Sequence, residues 1–99
     1  MNSTFAVQGS KAFQVLGHHA RLGAFQLINE AGEEGLTPSQ MMSSLHIHSA
    51  DLSRHLRKMI AAGLVSVTKA GKNQIYRANK AFSFHIAKSL MDTVMTRSV

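Results

Sequence analysis

The chain reads as a mainly α-helical protein carrying one small β-hairpin, and three observations predict it. Residues 48–59 place Leu52, Leu56 and Met59, followed by Ile60, at intervals of four, three and one, the spacing that gathers side chains on one face of a helix. A strong helix start, at Thr37, stands just before this segment. Two short runs rich in β-branched and aromatic residues, separated by a turn composition, stand just after it.

Each element can be justified in chain order. Residues 1–10 are mostly polar and read as a flexible N-terminal arm, which leaves 11–99 as a single domain. Ala12, Phe13, Val15 and Leu16 give 11–17 a short amphipathic helix, or a longer one that begins near Phe5. Residues 21–31 form a second helix, with Leu22, Ala24, Phe25, Leu27 and Ile28 facing inward. Gly32 and Gly35 bracket its end, where a helix needs a residue tolerant of left-handed φ. Thr37 is a good cap, Pro38 suits the first helical position, and Gln40 sits three residues after Thr37 as a capping box requires. Leu36 and Met41 complete a hydrophobic staple, and this third helix ends around Leu45. His46-Ile47-His48 turns the chain, with Ile47 as the apolar plug, and the fourth helix runs to about Ala62, where Gly63 stops it.

Residues 64–69 alternate through Val65 and Val67, residues 74–78 contain Ile75 and Tyr76, and Ala70-Gly71-Lys72-Asn73 between them is a turn. The last helix, 80–96, carries two apolar stripes. One is Phe82, Ile86, Leu90 and Val94; the other is Phe84, Ala87, Met91 and Met95. Together they cover far more than the roughly 100° arc of a surface helix. One small domain buries only about two-thirds of its unfolded surface and cannot cover both. The second stripe is therefore expected to pack on a second copy, with Phe13 and Leu16 of the first helix joining it. The full prediction is a winged helix-turn-helix of five helices and a two-stranded wing, forming a homodimer through its terminal helices.

The net charge of +6 is unevenly spread. Residues 1–50 hold Lys11 and Arg21 against Glu30, Glu33 and Glu34, a net −1, and residues 51–99 hold the other nine Lys and Arg against Asp51 and Asp92, a net +7. A basic half with only six aromatic residues (five Phe, one Tyr) points to the phosphates of a duplex before stacked single strands. Arg54, Arg57 and Lys58 fall opposite the apolar stripe of the fourth helix. A DNA major groove about 12 Å wide admits one such helix. The amides near Thr37, Ser39 and Gln40 at the start of the preceding helix can meet phosphate. The wing offers Lys69, Lys72, Asn73, Gln74 and Arg77 to the adjacent groove. There is no cysteine, which removes disulfides, thiolate metal sites and thiol redox chemistry. No run approaches the ~18 apolar residues of a membrane span, and the first residues lack a secretory pattern, so a cytoplasmic location is expected. No nucleophile motif, paired-carboxylate spacing or glycine-rich phosphate loop is present, so an enzyme is not expected.

At this point the sequence resembles the ArsR family of bacterial transcriptional repressors. Leu16-Gly17-His18-His19-Ala20-Arg21-Leu22 is similar to the family's Leu-x-x-x-x-Arg-Leu opening. The run from Leu45 through His46-Ile47-His48-Ser49 to Leu56 is similar to its Leu-Gly-Leu-Ser-x-x-x-x-Ser-x-His-Leu. Ala62-Gly63-Leu64-Val65 and Gly71-Lys72-x-x-x-Tyr76-Arg77 are similar to its hairpin. The correspondence covers 13–91, and it implies a homodimer on an imperfect palindrome, released by an effector. It also implies that Ser49, Ala50, Ser53, Arg54 and His55 are DNA-facing. Asp51 departs from the small polar residue of the family. Two readings stay open for it: an acceptor from a cytosine amine, or a cap for a helix that starts after Ser49 in place of His48.

Many family members sense metals through a cysteine pair, at positions held here by Thr37 and Ser39, which do not bind soft metals. A second family site needs a His eleven residues after the first; Thr96 stands at that distance from His85. The six histidines and six methionines read as solvated or structural, so no metal and no cofactor are expected. An organic effector in the dimer cleft, a partner protein, or no effector all remain open. A second functional reading is a winged-helix protein-interaction module without sequence-specific DNA binding, since a fold alone does not fix function.

Overall fold

The computed structural model describes residues 3–96. Five helices and one hairpin follow in the order α1 (Ser3–Leu16), α2 (His19–Glu30), a short 3-10 turn (Gly32–Glu34), α3 (Pro38–Leu45), α4 (Ser49–Ala61), β1 (Val65–Ala70), β2 (Asn73–Ala78) and α5 (Lys80–Met95). One core runs through all of them. Ala12, Ala24, Ile28, Met41, Leu52, Leu56, Met59, Leu64, Val65, Tyr76 and Ile86 form a single buried cluster.

α1 begins well before residue 11, so the segment read as an arm is helical from Ser3 onward; Met1 and Asn2 lie outside the described residues. The cause is a stripe that the polar composition hid. Phe5, Gly9, Ala12 and Leu16, spaced four, three and four, turn inward. Gly9 lies under the Phe5 ring, and Phe5 meets Phe13 edge to face at 6.5 Å between centroids. α2 also starts early, at His19. His18 caps it, its Nδ1 accepting the amide of Ala20 at 3.1 Å. Ala24 and Ile28 carry its buried face, whereas Leu22, expected inside, is exposed because it lies about 140° from the line through Ala24 and Ile28.

The start of α3 is as predicted. Thr37 Oγ1 accepts the Gln40 amide, and Gln40 Oε1 accepts the Thr37 amide at 2.9 Å. His46 closes the helix in a left-handed conformation, and Ile47 packs against the core. α4 buries Leu52, Leu56 and Met59 almost completely, while Ile60 lies at the edge of the arc, 36% exposed. Its N-cap is His48, extended and with no side-chain cap bond, so the expected shift of the cap to Ser49 does not occur. At the other end the Gly63 amide donates to the Ile60 carbonyl and the Leu64 amide to that of Met59.

β1 and β2 pair antiparallel, from Val65 opposite Ala78 to Ala70 opposite Asn73. The two-residue turn has positive φ at Gly71 and not at Lys72, a II′ pattern that fits the twist of a hairpin. Only the base of the wing is buried, at Val65 and Tyr76. Leu36 and Tyr76 exchange both backbone hydrogen bonds, at 2.9 and 2.8 Å, which ties the wing to the segment leading into α3. Gly35 is required there: a Cβ on it would stand 2.6 Å from the Tyr76 carbonyl oxygen.

α5 is capped by Asn79, whose side chain accepts the Phe82 amide. Phe82 and Ile86 pack on the core. Leu90 and Val94 of the same stripe do not, because the helix runs past the end of the body with α1 as its main neighbour. The result is an elongated molecule of 54 × 23 × 20 Å.

Candidate nucleic-acid interface

Three elements bear on the interface: α4, the start of α3, and the wing. On α4 the core stripe forces the opposite side outward. Ser49, Ala50, Ser53, Arg54, Arg57 and Lys58 are all exposed. Arg57 and Lys58 form no ion pair among the described residues, so both ammonium and guanidinium charges are free for an anion. Asp51 neither caps the helix nor receives a first-turn amide among the described residues; it pairs with Arg54 one turn further on.

His55, expected to face DNA, turns the other way. It is half-buried against the start of α2, its ring 4.9 Å from that of His18, and its Nδ1 lies 3.3 Å from Nη1 of Arg21. Arg21 is fixed in turn by its Nε donating to the Val15 carbonyl. Burial, then the neighbouring charges of His18, Arg21 and Arg54, hold the His55 pKa below its ordinary value, with Asp51 opposing them. A neutral ring whose Nδ1 accepts from the guanidinium follows. His18, the cap outside α2, stacks on His19, the first residue of the helix, with 5.3 Å between ring centroids. Among the described residues no group of three or more His, Asp or Glu side chains converges as a metal site.

Thr37, Pro38 and Ser39 at the start of α3 share a cleft of about 340 Å³ with Lys69, Lys72, Asn73 and Gln74 of the wing. Gln40, beside them, is exposed but occupied by the capping box. Two ammonium groups therefore face the positive end of a helix across a polar opening. Arg77, expected among the wing's contacts, is engaged within the protein instead. Its Nε donates to the Glu33 carbonyl at 2.6 Å and its Nη1 to Thr68 Oγ1 at 2.7 Å, bracing the wing against the 3-10 turn. Its partner Glu33 is 44 residues away in sequence, and no local pattern announces such a contact.

A separate apolar face lies on the terminal helices. Phe84, Met91, Val94 and Met95 of α5 are each more than 60% exposed, Ala87 is exposed between them, and Val7 and Phe13 of α1 are exposed as well. Leu16, expected on this face, is half-buried and packs into its own core.

A helix pair joined by a short turn, completed by a braced hairpin, is a winged helix-turn-helix. The family model described as helix-turn-helix domain matches residues 16–68, and the chain belongs to that family. The fold is that of ArsR-like regulators. An ArsR-like transcriptional regulator from Rhodococcus sp. RHA1 superposes with a TM-score of 0.76 at 24% identity, over 89% of this chain and 80% of the other. HlyU from Vibrio cholerae N16961 does so with a TM-score of 0.74 at 17% identity, over 98% and 100%. A homodimeric winged helix-turn-helix DNA-binding domain from Mycobacterium bovis gives 0.70 at 17% identity, over 98% and 90%. At these identities the likeness concerns the fold. No curated protein matches the chain in sequence. Among the described residues no helix is long and apolar enough to cross a membrane.

Proposed function

We propose that this chain is a cytoplasmic transcriptional regulator, not an enzyme, that binds duplex DNA by sequence as a homodimer and represses from a palindromic operator. The observation that carries this reading is the cleft shared by Thr37, Ser39, Lys69 and Lys72. The Ser39 amide, which the capping box leaves over, and two flexible ammonium groups can hold a phosphate, and the exposed face of α4 is left for a groove. Ser49, Ala50, Ser53 and Arg54, on the first turns of α4, then meet base edges, while Arg57 and Lys58 add charge. Asn73 and Gln74 are exposed polar residues beside Lys72 and can add hydrogen bonds to the backbone.

The homodimer is supported by the apolar face of α5 and α1, which includes Phe13, Phe84, Ala87, Met91 and Met95, and by the homodimeric state of the Mycobacterium bovis domain of like fold. A two-fold dimer reads two half-sites, and these are expected one helical turn apart or a multiple of it.

The test is retention on duplex DNA across salt concentrations. Lys72→Ala should weaken binding to every sequence alike and lower the slope of log affinity against log salt by about one. Duplexes selected from a random pool should share paired half-sites. Absence of retention at low salt would overturn the reading, and a single unpaired site would remove the dimer on DNA.

A further inference from the structure

Asp51 is the one acid on α4, and it stands on the side that the proposed function turns toward DNA. An acid there repels phosphates, so its presence needs a cause. It does not cap the helix, which starts at His48 without a side-chain bond. Its carboxylate is engaged by Nη2 of Arg54, with the two side chains 44% and 63% exposed. A pair this open adds little to folding stability, because water screens it and both side chains lose freedom. What the contact does accomplish is local: it fixes one guanidinium on a face where Arg57 and Lys58 are left free.

We infer that Asp51 is a positioning residue that holds the Arg54 guanidinium as a fork for guanine. The inference rests on the reading of α4 as a DNA-reading helix. A guanidinium has five N–H donors in one plane. With one Nη2 hydrogen given to Asp51, Nη1 and the remaining Nη2 hydrogen still form a pair of donors. That pair matches O6 and N7 of guanine in the major groove. A fork held in place before binding loses less side-chain freedom on reaching the base. The same carboxylate cancels the charge of Arg54 toward the backbone. Asp51 thus raises discrimination and lowers general affinity, two effects of opposite sign, whereas a residue that merely supported the fold would lower both when removed.

The experiment uses the full chain and four proteins: wild type, Asp51→Ala, Arg54→Lys and the double variant. Bound duplexes are sequenced from a randomised pool, affinity for unrelated duplex is measured across salt concentrations, and a circular dichroism melt checks each fold. Wild type should select a guanine at one position of each half-site. Asp51→Ala should lose that preference by about fivefold or more, while binding unrelated duplex more tightly at low salt with a slope steeper by up to about one. Arg54→Lys, which keeps the charge without the fork, should lose the same guanine, and the double variant should lose no more at that position than Arg54→Lys alone. If the alanine variant fails to fold, Asp51→Asn, which keeps the shape without the charge, should show the same two shifts.

An Asp51 variant that keeps the guanine preference overturns the inference while leaving DNA binding intact. So does a loss at a different base that persists in the Arg54→Lys background, which would make Asp51 itself a reader of a cytosine amine. A wild type that binds no duplex overturns the DNA-binding reading, and this inference with it.

Discussion

α4 and α5 are built from similar material and finished differently. α4 has three apolar residues sealed in the core and an outer face of Ser, Arg and Lys. α5 is three residues longer, yet Ile86 alone is fully sealed, and its outer face is Phe84, Met91, Val94 and Met95. The first helix is complete in one chain: every large apolar residue but Ile60 has a cover, and the remaining side chains are at home in water or against an anion. The second is not complete in one chain. Its exposed apolar residues run from Phe84 to Met95, and α1 is the main neighbour the domain offers beside it. Surface that stays apolar in a small domain marks a place for another molecule. Under the proposed function the two helices separate two tasks that a single amphipathic helix would have to combine: one presents charge to DNA, the other presents apolar area to a second copy.

This contrast can be broken most strongly at the core side of α4. Met59 is fully buried and belongs to the core cluster. Met59→Ala should destabilise the fold by about 2–5 kcal/mol, the sum of lost transfer energy and the cavity left behind. Denaturant unfolding followed by circular dichroism measures it. A loss well under 1 kcal/mol would mean that α4 is not sealed as the packing indicates.

The corresponding change on α5 should act on assembly and not on the fold. Met91 is 64% exposed and touches none of the central cluster. Met91→Glu is expected to raise the dimer dissociation constant by about tenfold or more, since a charge would be buried in an apolar interface. Its circular dichroism spectrum should stay that of the wild type. Sedimentation velocity across a range of concentrations distinguishes the outcomes. A variant that remains as dimeric as the wild type would place the interface elsewhere. One that unfolds would make α5 a core helix after all.

The same contrast explains how far the sequence was legible. Caps and stripes are local, so Thr37 with Gln40, the apolar residues of α4, Gly63 and the hairpin turn could all be read from neighbours a few residues apart. Periodicity, however, reports that a face is apolar and not what covers it. Leu90 and Val94 continue the stripe of Phe82 and Ile86 but lie beyond the end of the body, and Leu22 lies off the inward line of α2. The start of α1 was obscured for a related reason: the first ten residues are mostly polar, and only the three-dimensional neighbourhood of the Phe5 ring makes Gly9 a contact. At the site, residues read as solvent-facing donors split by long-range partners. Arg77 found the Glu33 carbonyl and His55 found Arg21, 34 residues away, and neither pairing leaves a trace in local spacing.

His55 supplies the smallest expected effect and the finest test of how α4 is seated. Its Nδ1 accepts from Arg21, so the neutral ring fits this place and the imidazolium does not, since protonation would set an N–H against a guanidinium. The folded-state pKa therefore lies below the ordinary value of 6.5. A histidine with a depressed pKa binds fewer protons folded than unfolded, so its contribution to stability is complete above about pH 6.5 and is lost as pH falls through that value toward the folded pKa. His55→Gln keeps an acceptor for Arg21 without a titrating ring. Melting temperatures taken between pH 7.5 and 5.5 (roughly one unit either side of an ordinary histidine) should fall more steeply for the wild type than for the variant. Equal slopes would mean that His55 is as free as a solvent-exposed ring. In that case α4 would be held to α2 by its apolar stripe alone, with no polar clasp between Arg21 and the second turn of the helix.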